Sequence, residues 1–471
     1  MQNRKLTFAL YFGNRGFFPG ELIASARKDM TEAVEKAGFG TLVMPEGATK
    51  FGAVETREDG LKFAAFLREH AGRFDGVVLC LPNFGDENGA VPALRDAGVP
   101  ILLQAYRDRV GEMDFARRRD SFCGKLSIAD MFTQYDIPFT MFKPHCVNPD
   151  EPLFAEHLAR FAAVCRVANG MKRVTVGSIG ARVTAFKTVR YDELALQKYG
   201  VTLESYDLSE VFSRTKNADA KRAAEKAREL QAFSNCCAVP AERLDTLARS
   251  LLALEDMISE NRLDAIALRC WTEFQTELGI APCVLLGMLN DRGIPAACEN
   301  DVCNAVSMHA LGLASGNASA CLDWNNNYGD DAEEKCILFH CGPVPQSLMR
   351  GKGCVTDHKM FAKTWGATMG FGSNEGLIDA FDFTFASFKT EAGKLQGYMG
   401  EGRFTDDKFD KDFFGCGGVA QINNLQDVLL YIGRNGYRHH TGITKGRVLE
   451  SVDEAFRVYL KYDVKIMTTA R

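Results

Sequence analysis

Near-continuous apolar β runs alternate with amphipathic helical patterns from residue 6 onward, and this alternation restricts the fold more than any other feature of the chain. The runs fall at 6–12, 41–44, 76–81, 101–104 and 139–142, with helical patterns between them, including 22–37 and 57–71. A strand that is apolar throughout has no solvent face. It belongs in a parallel sheet covered by helices on both sides. A second αβ unit starts near Met171, with strands at 173–179, 202–207, 264–271 and 294–298 and helices at 194–199, 217–233, 241–259 and 281–292, and the next helix begins near Asp301. In open parallel sheets, ligands bind beyond the carboxyl ends of the strands.

After Cys336 the pattern changes. Strands are expected at 337–340, 363–371, 381–391, 394–404, 418–422 and 429–433, separated by Gly-rich turns, with a helix at 448–460. Short strands with frequent aromatics and glycine turns indicate an antiparallel barrel or sandwich. The expected architecture is α/β: two doubly wound α/β domains, 1–170 and 171–335, then a β-rich, barrel-like domain, 336–471. The second boundary is placed at the polar stretch 325–331, read as a loop.

Composition removes several function classes. The formal net charge is -5, which gives no support to a nucleic-acid partner. The basic triplet Arg117-Arg118-Arg119 reads as a solvated helix face. No apolar run reaches membrane-spanning length, and the N-terminal run is too short for a signal sequence. Fifteen cysteines are scattered with no CxxC pair, which predicts reduced, mostly buried thiols, Cys80, Cys270, Cys298 and Cys336 among them, and a cytoplasmic location.

Three segments carry chemistry: Trp271-Thr272-Glu273-Phe274, Cys298-Glu299-Asn300-Asp301 and Arg438-His439-His440-Thr441. Glu273 and Asp301 each stand at the mouth of a buried parallel strand, where a buried charge needs a metal or a partner. Asp301 also suits the N-cap of the helix through Met308. Glu299, two positions away, is the alternative ligand. Strand alternation lets only one of His439 and His440 face a site. His340, in Leu338-Phe339-His340-Cys341-Gly342, is a further candidate, whereas His309 packs on a helix. Carboxylates plus imidazole suit Mn²⁺ or Mg²⁺ better than a thiolate metal. Gly177-Ser178-Ile179-Gly180 is placed like a phosphate-cradling turn but lacks the phosphate-loop pattern.

These segments resemble those of the L-fucose/L-arabinose isomerase superfamily, most closely its fucose isomerase-like proteins, especially over 269–308, around His340 and in His439-His440-Thr441-Gly442-Ile443-Thr444-Lys445-Gly446. The resemblance implies a metal-dependent aldose–ketose isomerase acting on an open-chain sugar, deoxy or C6-substituted, through an enediol. Mn²⁺ is the implied cofactor, with Mg²⁺ or Co²⁺ as substitutes. By motif, Glu273 and Asp301 are the implied acid–base pair, and Glu273, Asp301 and His440 the metal ligands. Arg15, Trp271, His340 and Asn435 are the expected sugar contacts. Arg15, in Gly13-Asn14-Arg15-Gly16, is similar to an arginine that reaches a neighbouring subunit's site, and the family implies a homo-oligomer, usually a hexamer. The competing reading is a cytoplasmic sugar-binding or sensor protein without turnover.

Overall fold

The computed structural model describes residues 5–408, 410 and 413–468. The chain divides into two compact units, Met1–Asn169 with Glu454–Lys461, and Gly170–Asp453 with Tyr462–Arg471. In the first unit, β1 (Thr7–Phe12), β2 (Gly40–Val43), β3 (Gly76–Leu81) and β4 (Ile101–Ala105) form a wholly parallel sheet in the order β2-β1-β3-β4. Every residue of β3 and β4 is buried, as their unbroken apolar sequences require. Thr56 and Asp59 form a reciprocal capping box at the start of the helix Arg57–Glu69. The expected strand at 139–142 is reduced to one bridge, Thr140 to Leu102. The Thr140 hydroxyl is 2.9 Å from that of Tyr459, on the returning segment. The three consecutive arginines precede the helix Ser121–Gln134 rather than lining it; Arg117 and Arg118 pair with Asp114 and Asp120.

The second unit holds a second parallel sheet and a nine-stranded mixed sheet. The parallel sheet runs β6-β5-β7-β8, with β5 (Val174–Ile179), β6 (Val201–Tyr206), β7 (Ala265–Leu268) and β8 (Ala296–Ala297). Its last two strands are shorter than the sequence suggested, because the chain turns into site-forming loops at Arg269 and Cys298. The mixed sheet comprises β9 (Ser319–Tyr328), β10 (Asp331–His340), β11 (Cys354–Asp357), β12 (Phe371–Leu377), β13 (Asp382–Glu391), β14 (Lys394–Phe404), β15 (Cys416–Gln421), β16 (His440–Lys445) and β17 (Asp463–Thr468). Its order is β11-β12-β15-β10-β9-β16-β13-β14-β17, and β14 also pairs with β15 over two residues.

Three elements differ from expectation. The polar stretch 325–331 is not a loop: β9 runs to Tyr328 and β10 resumes at Asp331, so its asparagines sit on a solvent-facing hairpin. The apolar run 429–433 belongs to a helix, Leu425–Arg434, whose buried Leu425, Val428 and Ile432 follow the three-to-four spacing of one helical face. The strand expected at 363–371 is instead the end of a helix, Lys359–Trp365, followed by a turn and β12.

Candidate active site

The carboxyl ends of β5, β7 and β8 meet at one residue, Asn300. Its side chain donates to the Gly180 carbonyl (2.8 Å) and accepts from the Ser178 hydroxyl (3.0 Å), and its amide donates to the Leu268 carbonyl (3.0 Å). The Gly-Ser-Ile-Gly turn therefore anchors Asn300. Glu299 and Asn300 both take left-handed backbone (φ 52° and 61°), a conformation that costs a non-glycine residue about 1–2 kcal/mol. Asparagine tolerates it better than glutamate, so the strain concentrates at Glu299. This turn places Glu299 and Asp301 on the side facing the mixed sheet.

The mixed sheet supplies the other half. His440, the first residue of β16, lies opposite Asp323 in the antiparallel ladder with β9, and Asp323 in turn lies opposite Phe339, beside His340. His440 Nδ1 is 2.9 Å from Asp301 Oδ2, and its Nε2 is 3.5 Å from Glu299 Oε2 and 3.4 Å from Asp323 Oδ1. His340 Nε2 is 3.4 Å from the same Glu299 oxygen and 4.0 Å from Asp323. Glu299 Oε2, Asp323 Oδ1 and His340 Nε2 are all buried without a hydrogen-bond partner among protein atoms. Buried polar atoms are rarely left so in native proteins.

The electrostatics are correspondingly tense. Burial raises the Glu299 carboxyl, but the charges of His340 and His440 bring it down to about 2. Burial opposes charge on His440, yet Cys321, Asp301, Asp323 and Glu299 lift it to about 10; Asp323 and Glu299 likewise hold His340 well above its ordinary value against burial. His439 is held below its ordinary value by burial and by His440.

The sequence-predicted residues are placed unequally. Asp301 is fully buried and has both oxygens engaged: it accepts from Arg438 (2.6 Å), from the Asn304 amide as the N-cap of the helix Val302–Ser315 (3.1 Å), and from His440. Glu273 is bound bidentately by Arg269 (2.6 Å to each oxygen) and by the Thr272 amide (3.0 Å), with a side chain 38% exposed. Trp271 lies edge-on to Phe186 (5.5 Å), whose ring also faces His439 (5.7 Å) and His440 (6.1 Å). Asn435 closes the helix Leu425–Arg434, donating to the Tyr431 carbonyl, and is exposed. Arg15, in the first unit, is held by Glu87, the Gly85 carbonyl and the face of Phe84. His309 is buried and its pKa is lowered by burial, in keeping with packing. Sequence reasoning missed Asp323, Phe186 and the Arg438–Asp301 pair. Asp323 was legible only through strand pairing, since nothing local marks it.

Among the described residues, ligand atoms close enough together for one metal ion occur in three groups, Cys321–His340–His440, Cys270–Cys298–Glu299 and Asp323–His439–His440. His440 Nδ1 faces Asp301, so a proton held there leaves Nε2 free as a ligand, an arrangement common in metal sites. Glu299 Oε2 and Asp323 Oδ1 stand around that Nε2. With both imidazoles neutral, as a bound cation would require of His440, three carboxylates (Glu299, Asp301, Asp323) against one arginine leave two formal negative charges, which one divalent cation would balance. His340 differs: its Nδ1 accepts from the Cys341 amide (2.9 Å), so a neutral ring carries its proton on Nε2, which lies 3.4 Å from Glu299 Oε2 without a hydrogen bond.

Comparison with known proteins gives the family. Residues 9–172 match the family described as fucose/sulfoquinovose isomerase, N-terminal domain, and residues 338–468 match L-fucose isomerase, C-terminal domain, so that the matched regions together exceed half of the chain. Similar proteins include the sulfoquinovose isomerases of Priestia aryabhattai (25% identical, over 84% of this chain and 86% of the relative) and Alkalicoccus urumqiensis (24%, over 84% and 87%). That of Clostridium sp. (strain MSTE9) is 30% identical over 43% of this chain and 45% of its own length. The chain belongs to the fucose isomerase-like superfamily and is an aldose–ketose isomerase.

Proposed function

We propose that this protein is a divalent-metal-dependent isomerase of an open-chain hexose bearing an anionic C6 substituent, with a sulfonated hexose such as sulfoquinovose as the first candidate. The observation that carries the metal part is the convergence of unpartnered, buried Glu299 and Asp323 oxygens on His440 Nε2. The substrate class rests on the relatives' activity.

In this reading Glu299, Asp323 and His440 hold the cation, and Asp301 orients His440 rather than binding metal itself. Mn²⁺ is the first candidate ion. Once bound, such an ion polarises a carbonyl and steadies an enediolate. The protein's own contributions are separable from that. Glu273, held by Arg269 and partly exposed, takes the proton from the carbon next to the carbonyl and returns it to the former carbonyl carbon. His340, with a proton on Nε2, moves the proton between the two sugar oxygens. Trp271 and Phe186 cover the site and exclude water. Arg269 fixes the Glu273 carboxylate in one orientation.

We further read the β14–β15 pairing as closure of a barrel-like C-terminal sheet, retain the three domains 1–170, 171–335 and 336–471, and expect a cytoplasmic homo-oligomer, hexameric as in the family. Among the described residues, no helix is long and apolar enough to cross a membrane. The test is a panel of L-fucose, L-arabinose, D-arabinose and sulfoquinovose with Mn²⁺, reading ketose formation. Conversion of sulfoquinovose above the rest supports the reading, and conversion of another sugar in its place, or of none, overturns the proposed substrate.

A further inference from the structure

His358 stands where β11 passes into the helix Lys359–Trp365, and it is 1% exposed. Its ring stacks on Phe361 (4.0 Å between centroids, 17° between planes) and meets Phe414 edge-on (5.5 Å). Its backbone amide is used, donating to Gly370. Neither ring nitrogen has a hydrogen-bond partner among protein atoms. A neutral imidazole carries one donor and one acceptor, so a residue that serves only to pack should be apolar here; phenylalanine would stack equally well without burying two polar atoms. Burial holds the ring's pKa down near 4, so the ring stays neutral.

The surroundings say what those nitrogens are for. Phe361 faces Trp271 (6.4 Å), Trp271 faces Phe186, and Phe186 faces His440. An aromatic row therefore runs from His358 to the carboxylate–histidine cluster. Rings beside a few convergent polar groups are the usual lining of a small-molecule site. A row of this kind suits the C–H face of a sugar, and a neutral imidazole at its end suits a hydroxyl, which both donates and accepts.

We infer that His358 is a substrate-binding residue of this site, whose ring nitrogens hydrogen-bond a sugar hydroxyl at the end of the row Phe361–Trp271–Phe186. This inference rests on the isomerase reading. The test compares the full-length, Mn²⁺-loaded wild type with His358→Phe and His358→Gln, using sulfoquinovose and the other panel sugars. His358→Phe keeps the stacking, the thermal midpoint and the bound Mn²⁺, and raises KM by about tenfold with a smaller change in kcat, the effect of losing one neutral hydrogen bond and stranding its partner. His358→Gln, which restores a donor and an acceptor, recovers part of the loss. A folded, metal-loaded His358→Phe with wild-type KM overturns the inference. Should His358→Phe not fold, His358→Gln decides: a raised KM at unchanged metal content supports the inference, and a wild-type KM overturns it. A wild type that converts none of the sugars refutes the proposed substrate class instead.

Discussion

Asp301→Asn probes how the site is held together. Asp301 and Arg438 are both buried, with Arg438 Nη1 2.6 Å from Asp301 Oδ1. Burial alone disfavours charge on each, and each restores it in the other: Asp301 is brought below its ordinary range by Arg438 and His440, and Arg438 is raised by Asp301. Asparagine keeps the N-cap of the helix Val302–Ser315, because it caps as well as aspartate does. The change therefore isolates the charge. It leaves the Arg438 guanidinium buried without its counter-ion, a loss of about 3–5 kcal/mol, or about a thousandfold in the folded-to-unfolded ratio. Adding Arg438→Met removes the stranded charge and should recover most of it, giving a coupling energy of about 2 kcal/mol or more. All three tryptophans of the chain, Trp271, Trp324 and Trp365, lie in the second unit, so urea unfolding followed by tryptophan fluorescence reports that unit alone. The reasoning is refuted if Asp301→Asn costs less than about 1 kcal/mol and the double variant is additive.

Further predictions follow from the same geometry. Glu273→Gln should lower kcat by about a hundredfold to ten-thousandfold while fluorescence and Mn²⁺ content stay unchanged; a variant with wild-type kcat removes Glu273 from the proton-transfer role. Asn300→Ala breaks the clamp on Ser178 and Gly180 and should lower both second-unit stability, by about 1–3 kcal/mol, and turnover; a folded variant with full activity shows that the left-handed turn holds without it. In the first unit, burial depresses the pKa of Lys125 from 10.5 to about 8. The native state therefore binds its proton less tightly than the unfolded chain does. The penalty is fully present below pH 8 and is relieved as pH rises toward 10.5, by up to about 3 kcal/mol. Circular dichroism of urea unfolding at pH 7.5 and 10 should show wild type gaining on Lys125→Met across that window, and a constant difference contradicts the assignment.

Much of the fold was legible where one physical signal dominated. The buried strands β1, β3 and β5 lay within the apolar runs read from the sequence, and β4 exceeded its run by Ala105 alone, because a strand buried on both faces has few polar positions to confuse the pattern. The run 429–433 misled because five apolar residues in a row suit either a strand or the buried turn of a helix, and the helical spacing shows only when Leu425 is included. The site was half legible. The N-cap role of Asp301 was foreseeable, and the structure adds to the same carboxylate an ion pair with Arg438 that was not. The approach of both Glu299 and Asp301 to His440 depends on two left-handed residues, and no residue-type pattern announces positive φ at a glutamate. Asp323 required the β9–β16 register, a contact across more than a hundred residues of sequence.

The account's central claim, that Glu299, Asp323 and His440 hold a catalytic divalent ion, is tested most directly by isomerisation in D2O read by mass spectrometry. Enzyme stripped with EDTA is compared with the same enzyme restored with Mn²⁺, for wild type and Glu299→Gln. The account predicts ketose carrying solvent deuterium from restored wild type alone, and none from stripped enzyme or the variant. Equal conversion by stripped wild type, or by Glu299→Gln, would contradict it.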